Sequence, residues 1–207
     1  MAAAQRPKLF RDPVHDIIAF DAMDEVERVL LDLIATSTFQ RLRRIRQLGF
    51  AYLVYHGAEH SRFSHSLGVF HIARRTFESI RRLGFFPSED DRLEVLCAAL
   101  LHDIGHGPFS HAIEKVTGIH HETYTSLLIG DERSDVSRVL SAADSKLPGR
   151  LLPYFDVSLD FDPARKALRD MVSSQLDADR QDYILRDGLA TGVRIGVYDF
   201  ERIQTMF

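Results

Sequence analysis

The chain has 207 residues, 45% hydrophobic and 27% charged, with a formal net charge of −4. That length is ample for a real core, and the acidic balance argues against non-specific nucleic-acid binding, which needs a basic surface. A single cysteine, Cys97, excludes an internal disulfide and fits a reducing compartment. The start, MAAAQRPKLFRDP, lacks the apolar stretch of a secretory signal, and no apolar run approaches the roughly 20 residues that span a bilayer. A cytoplasmic chain with no membrane partner is the expectation.

In chain order, residues 7–20 alternate poorly and hold Pro7 and Pro13, so they read as an extended lead-in with one short strand. Met23, Val26, Leu30, Leu33 and Ile34 give a helical period up to Ala35. Ser37 and Gln40 have the spacing of a capping box for a second helix, TFQRLRRIRQL, ending at Gly49. Its arginines 41, 43, 44 and 46 form either a solvated face or a contact for phosphate or a partner subunit. Residues 51–60 are β-prone and break at Gly57, which predicts a short strand or hairpin arm. Phe63, Leu67, Phe70, Ala73, Phe77 and Ile80 predict a long amphipathic helix stopping at Gly84. Ser88 and the acids after it open a helix that carries Leu93, Leu96, Cys97, Leu100 and Leu101 into the core. Helices near 110–117, 120–129 and 133–142 follow. Residues 144–161, with Pro148, Gly149 and Pro153, read as a loop or lid. Asp162-Pro163 starts a helix through Val172, residues 177–187 form another, and a last one begins near Asp199. The fold class is all-α, a mainly helical bundle with a minor strand or hairpin.

The stretch LLHDIGHGPFSH, Leu100 to His111, carries three histidines and a carboxylate. Imidazole and carboxylate together suit Fe, Mn, Zn, Co or Ni rather than Ca, which prefers oxygen alone. Adjacent His102 and Asp103 diverge by about 100° on a regular helix, so they share an ion only at a helix end, where Gly105 relaxes the chain. Further ligands must come from distant segments, with His65 and Asp179 as candidates. Core hydrogen bonds or capping are the alternative for such a pair. Glu114 lies three residues beyond His111, on the same helical face.

The set His65, His102-Asp103 and Asp179 resembles the H…HD…D signature of HD-domain metal-dependent phosphohydrolases. RDPVHDII, TFQRLRRIRQLG, HSRFSHSLGV, LLHDIGHGPFSH, HHET and DADRQDYILRD, in that order, are similar to segments of the SAM-and-HD-domain deoxynucleoside triphosphate triphosphohydrolases and their bacterial relatives. The resemblance implies one HD domain over residues 1–207, the N-terminal part of a longer family chain. It implies that His65, His102, Asp103 and Asp179 hold one divalent metal, with Mg accompanying the nucleotide phosphates. Arg62 would meet a phosphate, its alternative being a surface arginine, and His106 and His111 would line the phosphate channel. Proton transfer would fall to His121 with Glu114, with Glu122 following directly; for His120, capping and solvent is the plainer account. Arg180 and Tyr183 would contact phosphate. Asp187 would hold its helix end or reach a sugar hydroxyl, and Gln47 and Leu48 would face the deoxyribose.

The implied reaction is metal-dependent hydrolysis of deoxynucleoside triphosphates to deoxynucleoside and triphosphate, by a homo-oligomer, dimer or tetramer. Other phosphoesters (a nucleoside monophosphate, cyclic dinucleotide or alarmone) and a non-catalytic nucleotide or nucleic-acid sensor are the competing readings. Ala35 stands where effector-regulated relatives carry an aspartate, which departs from the pattern for guanine-nucleotide activation.

Overall fold

The computed structural model describes residues 6–84, 87–156 and 158–206. Its spine is the helix the period predicts: α3, Arg62–Arg82, capped where the Ser61 hydroxyl accepts from the Ser64 amide. This helix is buried on most of its circumference, because a hairpin and several helices close around it. On one side stands α4, Glu89–Leu101, opened by a capping box between Ser88 and Asp91. On the other stands α10, Ala178–Thr191, whose N-cap Asp177 accepts from the Arg180 amide. Phe20, Leu30, Leu33, Phe39, Leu42, Phe70, Leu96 and Leu100 are fully buried between them. The rings of Phe20 and Phe70 stack 4.7 Å apart and pin the hairpin to the spine.

The lead-in holds two strands, not one: β1, Lys8–Asp12, pairs antiparallel with β2, Asp16–Phe20. The turn forms because Asp12 Oδ1 accepts from the amides of Val14 and His15, the bonding of an Asx turn. Only Ile18 and Phe20 of β2 point into the core, so alternation across the pair is too short to read.

Helix α1, Glu25–Ala35, begins two residues later than its period suggested, at the Asp24 cap. The capping box at Ser37 and Gln40 is not formed. Thr36 caps α2, Ser37–Gln40, while Ser37 Oγ donates to Asp135. Instead of running to Gly49, this helix tightens into a 3-10 turn at Arg41–Arg44. Arg41 is drawn away to the carbonyls of Ile104 and His106, and Arg46 then bridges Ser61 in β fashion. Residues 51–53 form a 3-10 turn rather than a strand.

Three helices come next, close to expectation: α5, His111–Thr117, α6, His121–Gly130, and α7, Asp135–Ala143. The expected loop at 144–161 is corrected too. Residues Leu147–Phe155 form α8, burying Leu147, Leu151 and Tyr154 at helical spacing. Pro148 sits in its first turn, where no amide hydrogen bond is lost. Residues Pro163–Arg165 make a 3-10 turn before α9, Lys166–Val172. Helix α10 passes through Gly188 and ends at Gly192 (φ +75°), and α11, Phe200–Met206, packs on α3. No helix of the described residues is long and apolar enough to cross a membrane.

His71, on α3, faces His15, and its Nδ1 accepts from Arg74. Burial and the nearby positive groups His15, Arg74 and Arg75 push its pKa down to about 3. The unfolded chain therefore takes up a proton near pH 6.5 that the native chain refuses, and stability falls as pH drops from 6.5 toward 3. The expected loss from this group is about 2 kcal/mol between pH 6.5 and 5. Urea midpoints across that window should show it, and His71→Leu should flatten the curve. A wild-type midpoint independent of pH would contradict it.

Candidate metal centre and the adjoining histidine cluster

His65 lies one turn into α3, and His102 continues the last turn of α4 with helical torsions. Each has its Nδ1 proton committed: His65 donates to Asp182 Oδ2 (2.8 Å) and His102 to the Ala99 carbonyl (2.8 Å). Their Nε2 atoms consequently face one another at 3.2 Å. Asp179, in the first turn of α10, brings Oδ1 to 2.9 Å from His65 Nε2 and 3.8 Å from His102 Nε2. The carboxylate of Asp103 stands 3.7 Å from His65 and 3.6 Å from His102. Metal–ligand bonds of about 2.0–2.2 Å place donors roughly 3.0–3.5 Å apart, so this spacing fits a single divalent ion. Two imidazole lone pairs and two carboxylates converging on one point need a cation between them. Burial opposes charge on His65, yet its bonds to Asp179 and Asp182 push its pKa up to about 10.

Asp182 is fully buried and accepts four hydrogen bonds, from His65, from His15 Nε2 (2.6 Å), and from Arg186 Nε and Nη2 (2.7 and 2.9 Å). Arg186 also donates to Asp12 in the hairpin (2.9 Å). Burial would raise the Asp182 pKa, but Arg186, His15 and His65 hold it well below the usual carboxylate range. Gly68 makes room, because a Cβ there would collide with the Asp182 carboxylate and Arg186.

Arg62 is not a surface arginine. It is 2% exposed and turned inward, its guanidinium on Asp103 Oδ2 and its Nε donating to Ser110 Oγ. Burial raises the Asp103 pKa, and neighbouring His102, Arg62 and His106 more than reverse this. The loop after His102 is held open by strain. Phe109 and Ser110 take φ of +68° and +50°, uncommon for residues with a Cβ. The Ser110 hydroxyl, bridging Arg62 and the carbonyls of Arg46 and Gln47, holds that conformation. Gly105 is required for a different reason: its Cβ would strike the backbone of His121 and Thr125 on α6.

That close approach places Glu114 amid histidines. His121 Nδ1 lies 2.8 Å from Glu114 Oε1, and His111 Nδ1 lies 3.2 Å from Oε2. The pairing implied for His121 and Glu114 is therefore present in the geometry. Burial would raise the Glu114 pKa, but bonds from His111 and His121 bring it down to about 2. His106 is buried, its ring stacked 3.7 Å from that of His121. His111 is largely exposed, and Glu122 lies 3.4 Å from His121 at the rim. His120 occupies the N-cap of α6, without a side-chain capping bond and mostly in solvent.

The remaining expected residues are more dispersed. Arg180 and Tyr183 line a cleft of about 820 Å³ that reaches Asp179 and includes Lys166. Arg180 Nε donates to the Ser174 carbonyl and the side chain is exposed. Gln47 and Leu48 are half-buried, with Gln47 Oε1 lacking a hydrogen-bond partner. Asp187 is buried and bonded to His60 Nε2 (2.7 Å), so it is not free to reach outward in this state. His15, His60, Asp182 and Arg186 carried no role from the sequence. Asp182 lies three residues beyond Asp179, the one local hint that it shares the site's face. The arginines of 41–46 are split between inside and rim. Arg41 braces the Ile104 and His106 carbonyls, Arg43 lies over the Phe63 ring, and Arg46 pairs with Glu59.

This helical frame, with a histidine–aspartate pair at a helix end answered by a histidine and an aspartate from two other helices, defines an HD domain. The model of the HD domain family matches residues 62–186, and the chain belongs to that family. It is 44% identical over 199 residues to the uncharacterized protein YwfO of Bacillus subtilis, covering 95% of this chain and 43% of that one. It is 45% identical over 109 residues to the deoxynucleoside triphosphate triphosphohydrolase SAMHD1 of Danio rerio, covering 52% of this chain and 17% of that one. A solved phosphohydrolase from Bacteroides thetaiotaomicron superposes with TM-score 0.80 at 35% identity, over 96% of this chain and 46% of that one. The chain spans less than half the length of the curated relatives it matches over nearly its whole extent.

Because Asp182 fixes the His65 tautomer, Asp182→Asn is expected to weaken binding of a divalent ion about 10–100-fold. Competition with a chelating dye measures this, and unchanged affinity would show that His65 needs no such partner.

Proposed function

We propose that the chain is a metal-dependent phosphohydrolase acting on deoxynucleoside triphosphates and releasing deoxynucleoside and triphosphate. The observation that carries this reading is the convergence of His65, His102, Asp103 and Asp179 beside a second, proton-competent group built on Glu114 and His121. A bound divalent ion would supply Lewis acidity at a phosphoryl oxygen and a water of lowered pKa. His65, His102, Asp103 and Asp179 are the residues proposed to hold it.

The chain's own groups account for the other requirements. Arg62 fixes the orientation of Asp103, and Asp182 fixes that of His65. The cleft at Asp179 is lined by Arg180 and Lys166, two cations that suit a polyphosphate tail, with Tyr183 beside them. His121 gives its Nδ1 proton to Glu114, which orients the ring and leaves Nε2 to take or return a proton. The relatives named as triphosphohydrolases support the choice of nucleotide and of cleavage point; two vertebrate ones match 52% of this chain and one from Dictyostelium discoideum matches 95% at 32% identity.

Metal-supplemented assays on deoxynucleotides, ribonucleotides and simple phosphoesters test the reading. Deoxynucleoside and inorganic triphosphate in equal amounts are the expected products, abolished in His102→Ala/Asp103→Ala. Orthophosphate release, or turnover that survives this double variant, would overturn it. His121→Gln is expected to lower kcat by about 10²–10⁴-fold with KM little changed.

A further inference from the structure

His106, His111 and His121 all turn Nδ1 onto the same carboxylate, at 3.8, 3.2 and 2.8 Å from the oxygens of Glu114. The four side chains lie close enough together to share one ion. We propose that they form a second cation site, distinct from the one at His65, for a d-block divalent ion of the zinc, cobalt or nickel kind. Three imidazoles and one carboxylate are a donor set for such ions, and not for magnesium or calcium.

His106 is the residue that asks for a cation. It is 1% exposed, and neither ring nitrogen makes a hydrogen bond among the described residues. Nε2 faces Asp103 Oδ1 at 3.3 Å and Nδ1 faces Glu114 Oε1 at 3.8 Å. A neutral imidazole offers one N–H and one lone pair, and this ring faces two carboxylates. The remaining lone pair then faces a carboxylate oxygen. An ion at Nδ1, shared with Glu114, removes that repulsion and satisfies both groups.

The route to the site is open. His111 is 65% exposed, and a cavity of about 560 Å³ reaches His106, Glu114 and His121 from the side of Ile113, Tyr124 and Leu127. The surrounding frame is fixed, since Arg41 holds the His106 carbonyl and Gly105 seats α6 against the loop. Occupancy would engage the imidazoles that the proposed hydrolysis needs for proton transfer. Excess zinc would then inhibit an enzyme supported by the ion at His65. That consequence rests on the hydrolase reading, whereas the site itself does not.

Zinc stoichiometry, measured by competition with a chelating dye, separates the two. Wild type is expected to bind two equivalents, and His65→Ala/Asp179→Ala and Glu114→Gln one each. His111→Ala, at an exposed position with little bearing on folding, should keep two but loosen the second at least 10-fold. Cobalt in His65→Ala/Asp179→Ala should give a tetrahedral visible band that Glu114→Gln, added to it, removes. Zinc retained in the first variant and lost with Glu114 supports the second site whatever is found for hydrolysis. A single equivalent in wild type, or two in Glu114→Gln, would overturn it.

Discussion

The Asp182 carboxylate, with no contact to solvent and four hydrogen bonds, ties together everything that the site requires. One bond reaches α3 through His65, one reaches the hairpin turn through His15, and two come from Arg186 on its own helix. Arg186 in turn clamps Asp12 at the end of β1. Removing a buried charge from water costs several kcal/mol, and only partners that satisfy its lone pairs offset this. Taking away one partner would leave an uncompensated charge, so these residues stand or fall together. The network thus explains why a small hairpin belongs to a helical domain: it closes the far side of a charge cluster whose near side presents His65 Nε2 to an ion.

A second constraint acts on the loop between α4 and α5. It must place Asp103 inward, turn back sharply, and deliver His106, His111 and Glu114 to one spot. Positive torsions at Phe109 and Ser110 cost on the order of 1–3 kcal/mol each. The Ser110 hydroxyl, on the carbonyls of Arg46 and Gln47, and the Arg41 guanidinium, on those of Ile104 and His106, contribute the compensation. Arg62 couples the two halves, because it holds both Asp103 and Ser110. Strain, buried arginines and oriented imidazoles therefore form one device.

Much of this was legible in the residues. The long helix at 62–82 and the Ser88 cap follow from apolar spacing and capping residues, and the meeting of His65 with His102 and Asp179 was implied by the family resemblance. The Glu114–His121 contact was implied by the family resemblance, while three-residue spacing on α5 indicated only that Glu114 shares a face with His111. Other features depend on contacts that spacing does not encode. The hairpin buries too few side chains to alternate clearly, and α8 hides its helical period behind Pro148 and Pro153. Arg41 resembles its neighbours in sequence, yet it alone among 41, 43 and 46 reaches the carbonyls of Ile104 and His106. Ser37 could have capped a helix, but Asp135, 98 residues away, takes its hydroxyl. Asp182 was visible only as one more acid among several, since beyond Arg186 on its own helix its partners lie on α3 and in a hairpin that the pattern did not reveal.

The central claim is that an ion sits between two imidazoles from α3 and α4 and carboxylates from α4 and α10. X-ray absorption on Glu114→Gln protein loaded with one equivalent of manganese or zinc tests it most directly. The account predicts a first shell containing two imidazole nitrogens, with their outer-ring scattering, and oxygen donors. A shell made of oxygen alone would contradict it.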